Sequence, residues 1–314
     1  MKIIQDSSVL VNTSYHVCTV GYFDGVHLGH QKIIEKLVTD ASTNKGKSIL
    51  VSFWPHPRKV LYPNDHFDYI QSNEDKFMSI EKLGVDVLYL IEFSKEFSKV
   101  TAEKFVNDIL VNKLQINKLI IGYNHHFGFK REGNFNYLYN LRKNLAFDIE
   151  EVKKKEINKN LKISSSEIRK EILKGNMSKV STMLGYKYFI KGEVIKGDGI
   201  GKKLDFPTAN IKIHNEDKIL PSDGVYAGYA IISDKKFIGM INIGKRPTVE
   251  GKERRVEMNI FDYNEMLYGK EMKISFIKRI RNEQKFKNLD DLSDQLRKDK
   301  LETIKIIENE EIRN

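Results

Sequence analysis

Val17-Cys-Thr-Val-Gly-Tyr-Phe-Asp-Gly-Val-His-Leu-Gly-His30 decides how the first half of this chain is read. A short apolar run ending at Val20 reads as a buried strand, and helical apolar spacing begins at Gln31. The glycines between them, at 21, 25 and 29, let the backbone approach an anion closely and take positive φ where a turn requires it. A helix start offers free N–H groups and a partial positive charge. His27 and His30, three residues apart, can both face that point and donate to phosphate oxygens. Together these parts suit the triphosphate of a nucleotide. Two other readings stand beside this one: a metal site completed by Asp24 or by His125 and His126, and histidines that only pack.

Outward from this stretch, Ile49 to Phe53, Val87 to Ile91 and Leu119 to Ile121 read as further buried strands. Gln31 to Ala41, Asn73 to Leu83 and Thr101 to Leu114 carry helical spacing, and Thr101-Ala-Glu-Lys and Ser164-Ser-Ser-Glu resemble helix starts. Such alternation predicts an α/β domain on a parallel sheet of Rossmann type, binding ligands at the carboxyl ends of its strands. The second half changes character. Ten of the twenty glycines fall between Gly192 and Gly269. They punctuate β-rich runs at Tyr188 to Ile195, Val225 to Ile232, Phe237 to Ile243, Val256 to Phe261 and Met272 to Ile280. Short strands between Gly and Asp turns predict an antiparallel barrel or sandwich. Helical spacing returns from Leu289 to Ile307, with Leu289, Leu292, Leu296 and Ile304 as expected core contacts. The shift near Leu184 predicts two packed domains, 1–184 and 185–314.

The length of 314 residues, about twice that of a usual domain, agrees with two domains. The longest apolar run, Val87 to Ile91, is five residues, where a bilayer needs about 20. The amino terminus lacks the apolar stretch of a secretory signal. Cys18 is the single cysteine, so no intrachain disulfide or cysteine-built zinc site is available. A cytoplasmic protein with no membrane partner is the expectation. The net charge of +10 favours anionic partners, although much of the surplus is lysine scattered among asparagine and isoleucine.

Gly21 to His30 resembles the nucleotide-binding motif of the bifunctional riboflavin kinase/FMN adenylyltransferases, the bacterial FAD synthetases. Its His-x-Gly-His core is shared more widely with nucleotidylyltransferases and class I aminoacyl-tRNA synthetases. For a synthetase the chain is short, and it lacks a Lys-Met-Ser-Lys-Ser stretch. Three further strings match the family in order: Phe53-Trp-Pro-His-Pro57, Gly122-Tyr-Asn-His-His-Phe-Gly128 and Ile163-Ser-Ser-Ser-Glu-Ile-Arg169. In the last, Ser166 stands at the family's Thr position and retains the hydroxyl. The resemblance implies a nucleotidylyltransferase-like first domain that binds ATP and FMN through Gly21, Phe23, Asp24, Gly25, Gly29, Asn124, Ser165 and Ser166. His27, His30 and Arg169 would stabilise the transferring phosphate. Each fits its chemistry. Pro55 and Pro57 hold His56 in an extended turn, Asn124 follows a strand end, and the serines can cap a helix or hold phosphate. Arg169, about one turn into that helix, offers a forked donor set.

In the β-rich half, Gly197, Gly199 and Gly201 make a loop able to wrap phosphates, leading to Lys202, Lys203 and Phe206-Pro-Thr-Ala-Asn210. That string resembles the riboflavin kinase signature, in a β-barrel domain with a terminal helix. The resemblance implies nucleotide contacts from Gly197, Gly201, Lys202 and Pro207, with Thr208 and Asn210 coordinating Mg²⁺. Hydroxyl and amide oxygens suit that cation. Glu257 matches the family's catalytic carboxylate and would act as general base toward the flavin hydroxyl. Gly224-Val-Tyr226, Asn242 to Thr248 and the stretch from Arg281 to Phe286 are also family-like. Two positions depart from the pattern. Lys202 replaces Arg and keeps the charge without the planar fork, and Asp205 replaces Gly and adds a negative charge beside the phosphate site.

The implied reactions are riboflavin plus ATP to FMN plus ADP, then FMN plus ATP to FAD plus pyrophosphate. The implied partners are these small molecules alone, with no nucleic acid, in a monomer or weak homo-oligomer. One rival keeps the adenylyltransferase but leaves the barrel binding flavin without phosphorylating it. A second, a nucleic-acid-binding module, rests on the charge and leaves the motifs unexplained.

Overall fold

The computed structural model describes residues 1–5, 15–123, 125–141, 147–153, 162–197, 199, 201–248 and 251–312, less the side chains at 141, 202–203, 246–248 and 251–253. The chain divides into two compact units, Met1–Ser165 and Ser166–Asn314.

Among the described residues, the first unit carries six strands: β1 (Lys2–Gln5), β2 (His16–Val20), β3 (Lys47–Trp54), β4 (Val87–Glu92), β5 (Lys118–Gly122) and β6 (Asp148–Val152). All neighbours are parallel, in the order β1-β4-β3-β2-β5-β6. From β2 the chain steps outward through β3 to β4, then returns to the other side of β2 for β5. The strand order therefore reverses at β2 and β5, whose carboxyl ends border a crevice. The sequence reading held four of these strands. β1 and β6 lie at the edges, and β1 buries only Ile4. An edge strand needs no continuous apolar run, so both escaped notice.

The helices of this unit are α1 (Leu28–Thr43), α2 (Pro57–Leu61), α3 (Asn73–Lys82), α4 (Ala102–Lys104, continued by a π-helical stretch Phe105–Lys113) and α5 (Phe135–Leu141). Two apolar layers cover the sheet, as strand alternation requires. Val17 and Leu50 pack with Ile34, Leu37 and Ile80 from α1 and α3. Cys18, Val20 and Val51 pack with Phe105, Val106 and Leu110 from α4 and its π-helical continuation. Side chains such as Ile34 and Leu37, fully buried, contribute about 1.5–3 kcal/mol each. Caps fix the helix starts. Ser72 accepts from the Asp75 N–H and Thr101 from the Lys104 N–H, each removing an unpaired donor.

The second unit holds a closed barrel of β7 (Phe189–Ile195), β8 (Ala209–Ile213), β9 (Gly224–Ile232), β10 (Lys235–Thr248), β11 (Gly251–Ile260) and β12 (Glu271–Arg281). Its order is β10-β11-β8-β7-β12-β9, with antiparallel neighbours throughout. β10 and β11 run longer than their apolar cores at Phe237 to Ile243 and Val256 to Phe261, because a polar arm carries their pairing out to Thr248 and Gly251. α6 (Ser165–Leu173) begins at the unit boundary, and α7 (Met177–Leu184) follows it. The turn between them is locked by Glu171, which accepts from Asn176 and pairs with Lys174 and Lys179. α7 joins the barrel through Ser178, whose hydroxyl donates to the Ile277 carbonyl.

The terminal helix α8 (Leu289–Glu311) packs Ile306 and Ile307 against Ala227, Tyr229 and Ile277, with Leu296 and Ile304 beside Phe206 and Phe261. Leu289, expected in the core, is instead exposed in the first turn of α8. The phase of the helix is set by a polar residue: Asp299, 1% exposed, accepts a two-pronged contact from the Arg281 guanidinium at 2.8–3.0 Å. That pair turns a face holding Asp299 and Thr303 inward, which a count of apolar spacing misses.

Candidate active sites

The crevice of the parallel sheet is built by the loop after β2. Gly21 donates its N–H to the Val51 carbonyl at 3.0 Å. Phe23 at φ +59° and Gly25 at φ +78° then bend the chain so that His27 arrives as the cap of α1. Glycine at 25 serves twice, since a Cβ there would also meet Ile70 at 2.9 Å. His27 Nδ1 accepts from the His30 N–H at 3.3 Å. With Nδ1 used as an acceptor, the proton of a neutral His27 ring sits on Nε2, the nitrogen turned away from the helix backbone. A Cβ at Gly29 would lie 3.2 Å from the His27 ring, so glycine makes room for this cap. The rings of His27 and His30 stack with centroids 3.6 Å apart and planes at 15°, and Phe23 packs edge-on against His30 at 5.0 Å.

The sequence-predicted pair is therefore brought together at a helix N-terminus. The His30 Nδ1 is buried with no hydrogen-bond partner among the described residues. Burial, then the neighbouring His27, then Lys76, hold the His30 imidazolium well below the ordinary histidine range. Asp24 is buried beneath the loop, its carboxylate accepting from the N–H groups of Ile70 and Gln71 at 3.1–3.2 Å. Ser165 at the start of α6 donates to the Asp24 carbonyl at 3.0 Å. Ser166 is exposed and Arg169 half-buried further along the same helix, in the second unit. Asn124 lies outside the described residues. His125 is half-buried, with Nε2 buried and lacking a hydrogen-bond partner, and burial pushes its ring down to about 4.

Two features here were not read from the sequence. Lys76 on α3 is 1% exposed, with Nζ 3.9 Å above the Tyr22 ring and 3.4 Å from the Tyr22 carbonyl. Burial lowers its ammonium to about 8, while Asp24 pulls the other way. Beside it lies an aromatic cluster. His56 meets Tyr22 edge-on at 4.1 Å and Phe67 at 4.3 Å, and Trp54, partly exposed, leans on Tyr69 at 5.7 Å. His56 also caps α2, accepting from the Arg58 N–H at 3.0 Å. Arg58 and Lys59 lie over the Phe67 and Tyr69 rings.

In the barrel, register does the positioning. Asn210 on β8 is paired directly with Glu257 on β11, and Glu257 in turn with Asn242 on β10. Directly opposed residues share a face, so one polar row crosses three strands. Two residues along β11, on the same face, Asn259 donates its amide to the Pro207 carbonyl at 2.7 Å and ties the Phe206-Pro-Thr-Ala-Asn210 string to that strand. The glycine loop folds onto the row. A Cβ at Gly197 would lie 2.0 Å from the Asn210 amide, and one at Gly201 would lie 2.3 Å from the Phe206 carbonyl and 3.4 Å from Thr208 Oγ1. Thr208 is exposed, Asn210 buried and Glu257 half-buried. A cavity of about 430 Å³ adjoins the string, lined by Asp205, Phe206, Pro207, Asn259, Phe261 and Lys300 among others.

A family model for FAD synthetase matches residues 11–167, and one for riboflavin kinase matches residues 184–307. The chain is 36% identical over 303 residues to the bifunctional riboflavin kinase/FMN adenylyltransferase of Bacillus subtilis, covering 93% of both chains. It is 31% identical to the enzyme of the same name from Escherichia coli K12, covering 96% of each. This chain belongs to the bifunctional riboflavin kinase/FMN adenylyltransferase family. Membership makes it a transferase of flavin cofactor synthesis, in which riboflavin becomes FMN and FMN becomes FAD. A crystal structure from Streptococcus pneumoniae, described as a macrolide-efflux protein, is also similar over 96% of this chain, at 29% identity and a TM-score of 0.87. Among the described residues of this chain, no helix is long and apolar enough to cross a membrane.

Against the family pattern, the departure at Asp205 acquires a physical meaning. Its φ is +60°, in the left-handed region that favours glycine, and its side chain is exposed. Nothing is described of the Lys202 side chain. The metal reading of the histidine pair finds no support in the geometry: among the described residues no three His, Cys, Asp or Glu side chains converge as ligands. The barrel site differs, because a hydroxyl, an amide and a carboxylate supply hard oxygen donors on one loop and one strand row. That donor set fits Mg²⁺ shared with substrate phosphates.

Proposed function

We propose that the two activities divide along the chain, FMN adenylylation belonging to residues 1–184 and riboflavin phosphorylation to residues 185–314. The spans of the two family models support this division. In the first site the FMN phosphate attacks the α-phosphorus of ATP and expels pyrophosphate. His27 and His30 at the α1 N-terminus, with Arg169, stabilise the charge on the transferring and departing phosphates. Gly21, Gly25 and Gly29 keep the backbone close to the polyphosphate, while Phe23 fixes the His30 ring and Asp24 the loop. Asn124, Ser165 and Ser166 add polar contacts. The aromatic cluster around Tyr22, His56 and Trp54 provides flat faces for the flavin ring system. No covalent nucleophile is needed, since positioning and electrostatics carry phosphoryl-type transfer.

In the barrel Glu257 accepts the proton of the flavin hydroxyl as that oxygen attacks the γ-phosphorus of ATP, releasing ADP. Thr208 and Asn210 would hold Mg²⁺, which supplies neutralisation of phosphate charge when bound. Gly197, Gly201, Lys202 and Pro207 surround the phosphates, and the adjoining cavity accommodates a ring system of one substrate. The observation that supports this reading is the register of Asn210 against Glu257, which sets an amide and a carboxylate side by side. The reading takes small-molecule substrates and no nucleic acid, in a cytoplasmic monomer or weak homo-oligomer. Incubation with riboflavin, ATP and Mg²⁺, followed by chromatographic separation of flavins, tests it. FMN should appear first and FAD later, and added FMN should give FAD directly. Absence of either product from the folded protein overturns the corresponding half.

A further inference from the structure

The polar row of the barrel does not end at Asn242. Along β10 the next residue on the same face is Gly244, paired directly with Arg255 on β11. Gly244 is buried, and the atoms nearest to a Cβ built there would all belong to Glu283. Such a Cβ would lie 3.1 Å from Glu283 Cδ and closer still to Oε1, so an alanine would push that carboxylate away. Glu283 is exposed, in the segment between β12 and α8. Among the described residues no hydrogen bond or ion pair engages its carboxylate. The register fixes which side of Glu257 this is. Met240 pairs with Asn259, which borders the cavity, while Gly244 and Arg255 lie on the opposite side of the Asn242–Glu257 pair. The row therefore has a cavity at one end and an unengaged carboxylate at the other, with the proposed base between them.

A carboxylate repels the phosphates of a nucleotide and accepts hydrogen bonds from hydroxyl groups. Two residues of strand rise set Gly244 about 7 Å from Asn242 along β10, the reach of a short polyol chain. Riboflavin carries such a chain between its ring and the hydroxyl that receives phosphate. We propose that Glu283 is a specificity-determining residue of the kinase barrel, accepting hydrogen bonds from the ribityl hydroxyls of riboflavin, with Gly244 kept small to seat it. The nucleotide then approaches Glu257 from the cavity, and the flavin from the Glu283 side. This rests on the assignment of riboflavin phosphorylation to the barrel with Glu257 as its base. A cation shared with Asn210 is a poorer role for Glu283. Asn210 stands two strands from Gly244, about 10 Å across the sheet, whereas the oxygens around one Mg²⁺ each lie only about 2.1 Å from it.

Steady-state kinetics on the full chain test this. Glu283→Gln keeps the size of the side chain and removes its charge. KM for riboflavin in phosphorylation should rise about tenfold or more, the cost of one hydrogen bond to a charged group, with kcat and KM for ATP near their wild-type values. That split marks a contact made equally in the ground and transition states. Lumiflavin, the same ring without the polyol, probes the contact directly: its inhibition constant against riboflavin phosphorylation should be the same in both proteins. Gly244→Ala should displace the carboxylate and raise KM for riboflavin similarly, and the two changes together should cost no more than either alone. A merely structural glutamate would change both flavins alike or neither. An unchanged KM for riboflavin in Glu283→Gln overturns the proposal, and so does an equal loss of lumiflavin affinity, which would set Glu283 against the ring. Glu257→Gln separates the two levels. If it silences phosphorylation and Glu283→Gln leaves KM unchanged, this inference fails alone, whereas if Glu257→Gln leaves phosphorylation intact the reading of the barrel site fails.

Discussion

The parallel sheet and the barrel face the same electrostatic problem, a polyphosphate, with different resources. At the switch point of the sheet, α1 presents its free N–H groups and two imidazoles, with Lys76 buried behind. An antiparallel barrel has almost no net dipole of its own, because neighbouring strands cancel. Its row of Asn242, Glu257 and Asn210 carries no fixed cation. On the proposed reading, the positive charge there would come from Mg²⁺ held on oxygens. In the proposed division, architecture thus goes with ligand chemistry: a helix terminus backed by a buried lysine in the sheet, an imported cation in the barrel.

Substitutions that silence one region and spare the other press hardest on this comparison. Glu257→Gln keeps the shape of the row but removes the carboxylate proposed as the base. Riboflavin phosphorylation should fall by about 10²–10⁴-fold, with supplied FMN still converted to FAD. His30→Ala is its mirror image. FAD formation should fall by about 10²–10³-fold, the cost of one preorganised donor to a charged transition state, with FMN still produced from riboflavin. Flavin separation on a single chromatogram reads both. Loss of both activities from either variant in a folded protein would end the division between sheet and barrel.

The same contrast explains what was legible in the sequence. The loop from Gly21 to His30 was readable because glycines, paired histidines and a helix start are local features, and the stacked rings are where that reading put them. The β-rich runs left barrel and sandwich open, and the family resemblance pointed to the barrel that the structure closes. β8 was not among those runs, because its residues read only as a signature string after the glycine loop; pairing with β7 and β11 makes them a strand. Lys76 was invisible for a different reason. A lysine in a polar-looking helix start reads as solvated, and its burial depends on Tyr22, 54 residues away in the chain. Leu289 failed in the opposite sense, since the Arg281–Asp299 pair, not apolar spacing, orients α8.

Acid should distinguish the regions by stability. His30 and His125 are held neutral in the first unit, His125 down to about 4, while the unfolded chain protonates them near 6.5. The unfolded state therefore binds more protons as pH falls below 6.5, and the first unit loses stability down toward 4. In the second unit Glu171 is lowered to about 2, first by the Asn176 hydrogen bond, so its contribution stays until pH falls below about 4.5. Each displaced group is worth about 1.4 kcal/mol per pH unit between its two values. Hydrogen exchange read by peptide, corrected for intrinsic rates, should show β2 and β5 losing protection near pH 5 while the barrel strands keep theirs. Simultaneous loss would mean that the two units share one unfolding transition.

Asp205→Gly gives the smallest effect and the sharpest test of whether this barrel is a working kinase. Asp205 sits at φ +60°, exposed, on the rim of the cavity beside Phe206 and Pro207. Glycine removes a left-handed backbone cost of about 1 kcal/mol but adds freedom to the unfolded chain, so the midpoint of barrel unfolding should move little. Losing an exposed carboxylate near the phosphates removes a repulsion that water and salt already screen, worth less than about 1 kcal/mol. KM for ATP in riboflavin phosphorylation should therefore fall by about two- to threefold, with kcat and FAD formation from FMN unchanged. A tenfold or larger gain in kcat would show instead that aspartate at this position restrains the barrel, and that in this chain the sheet carries the dominant activity.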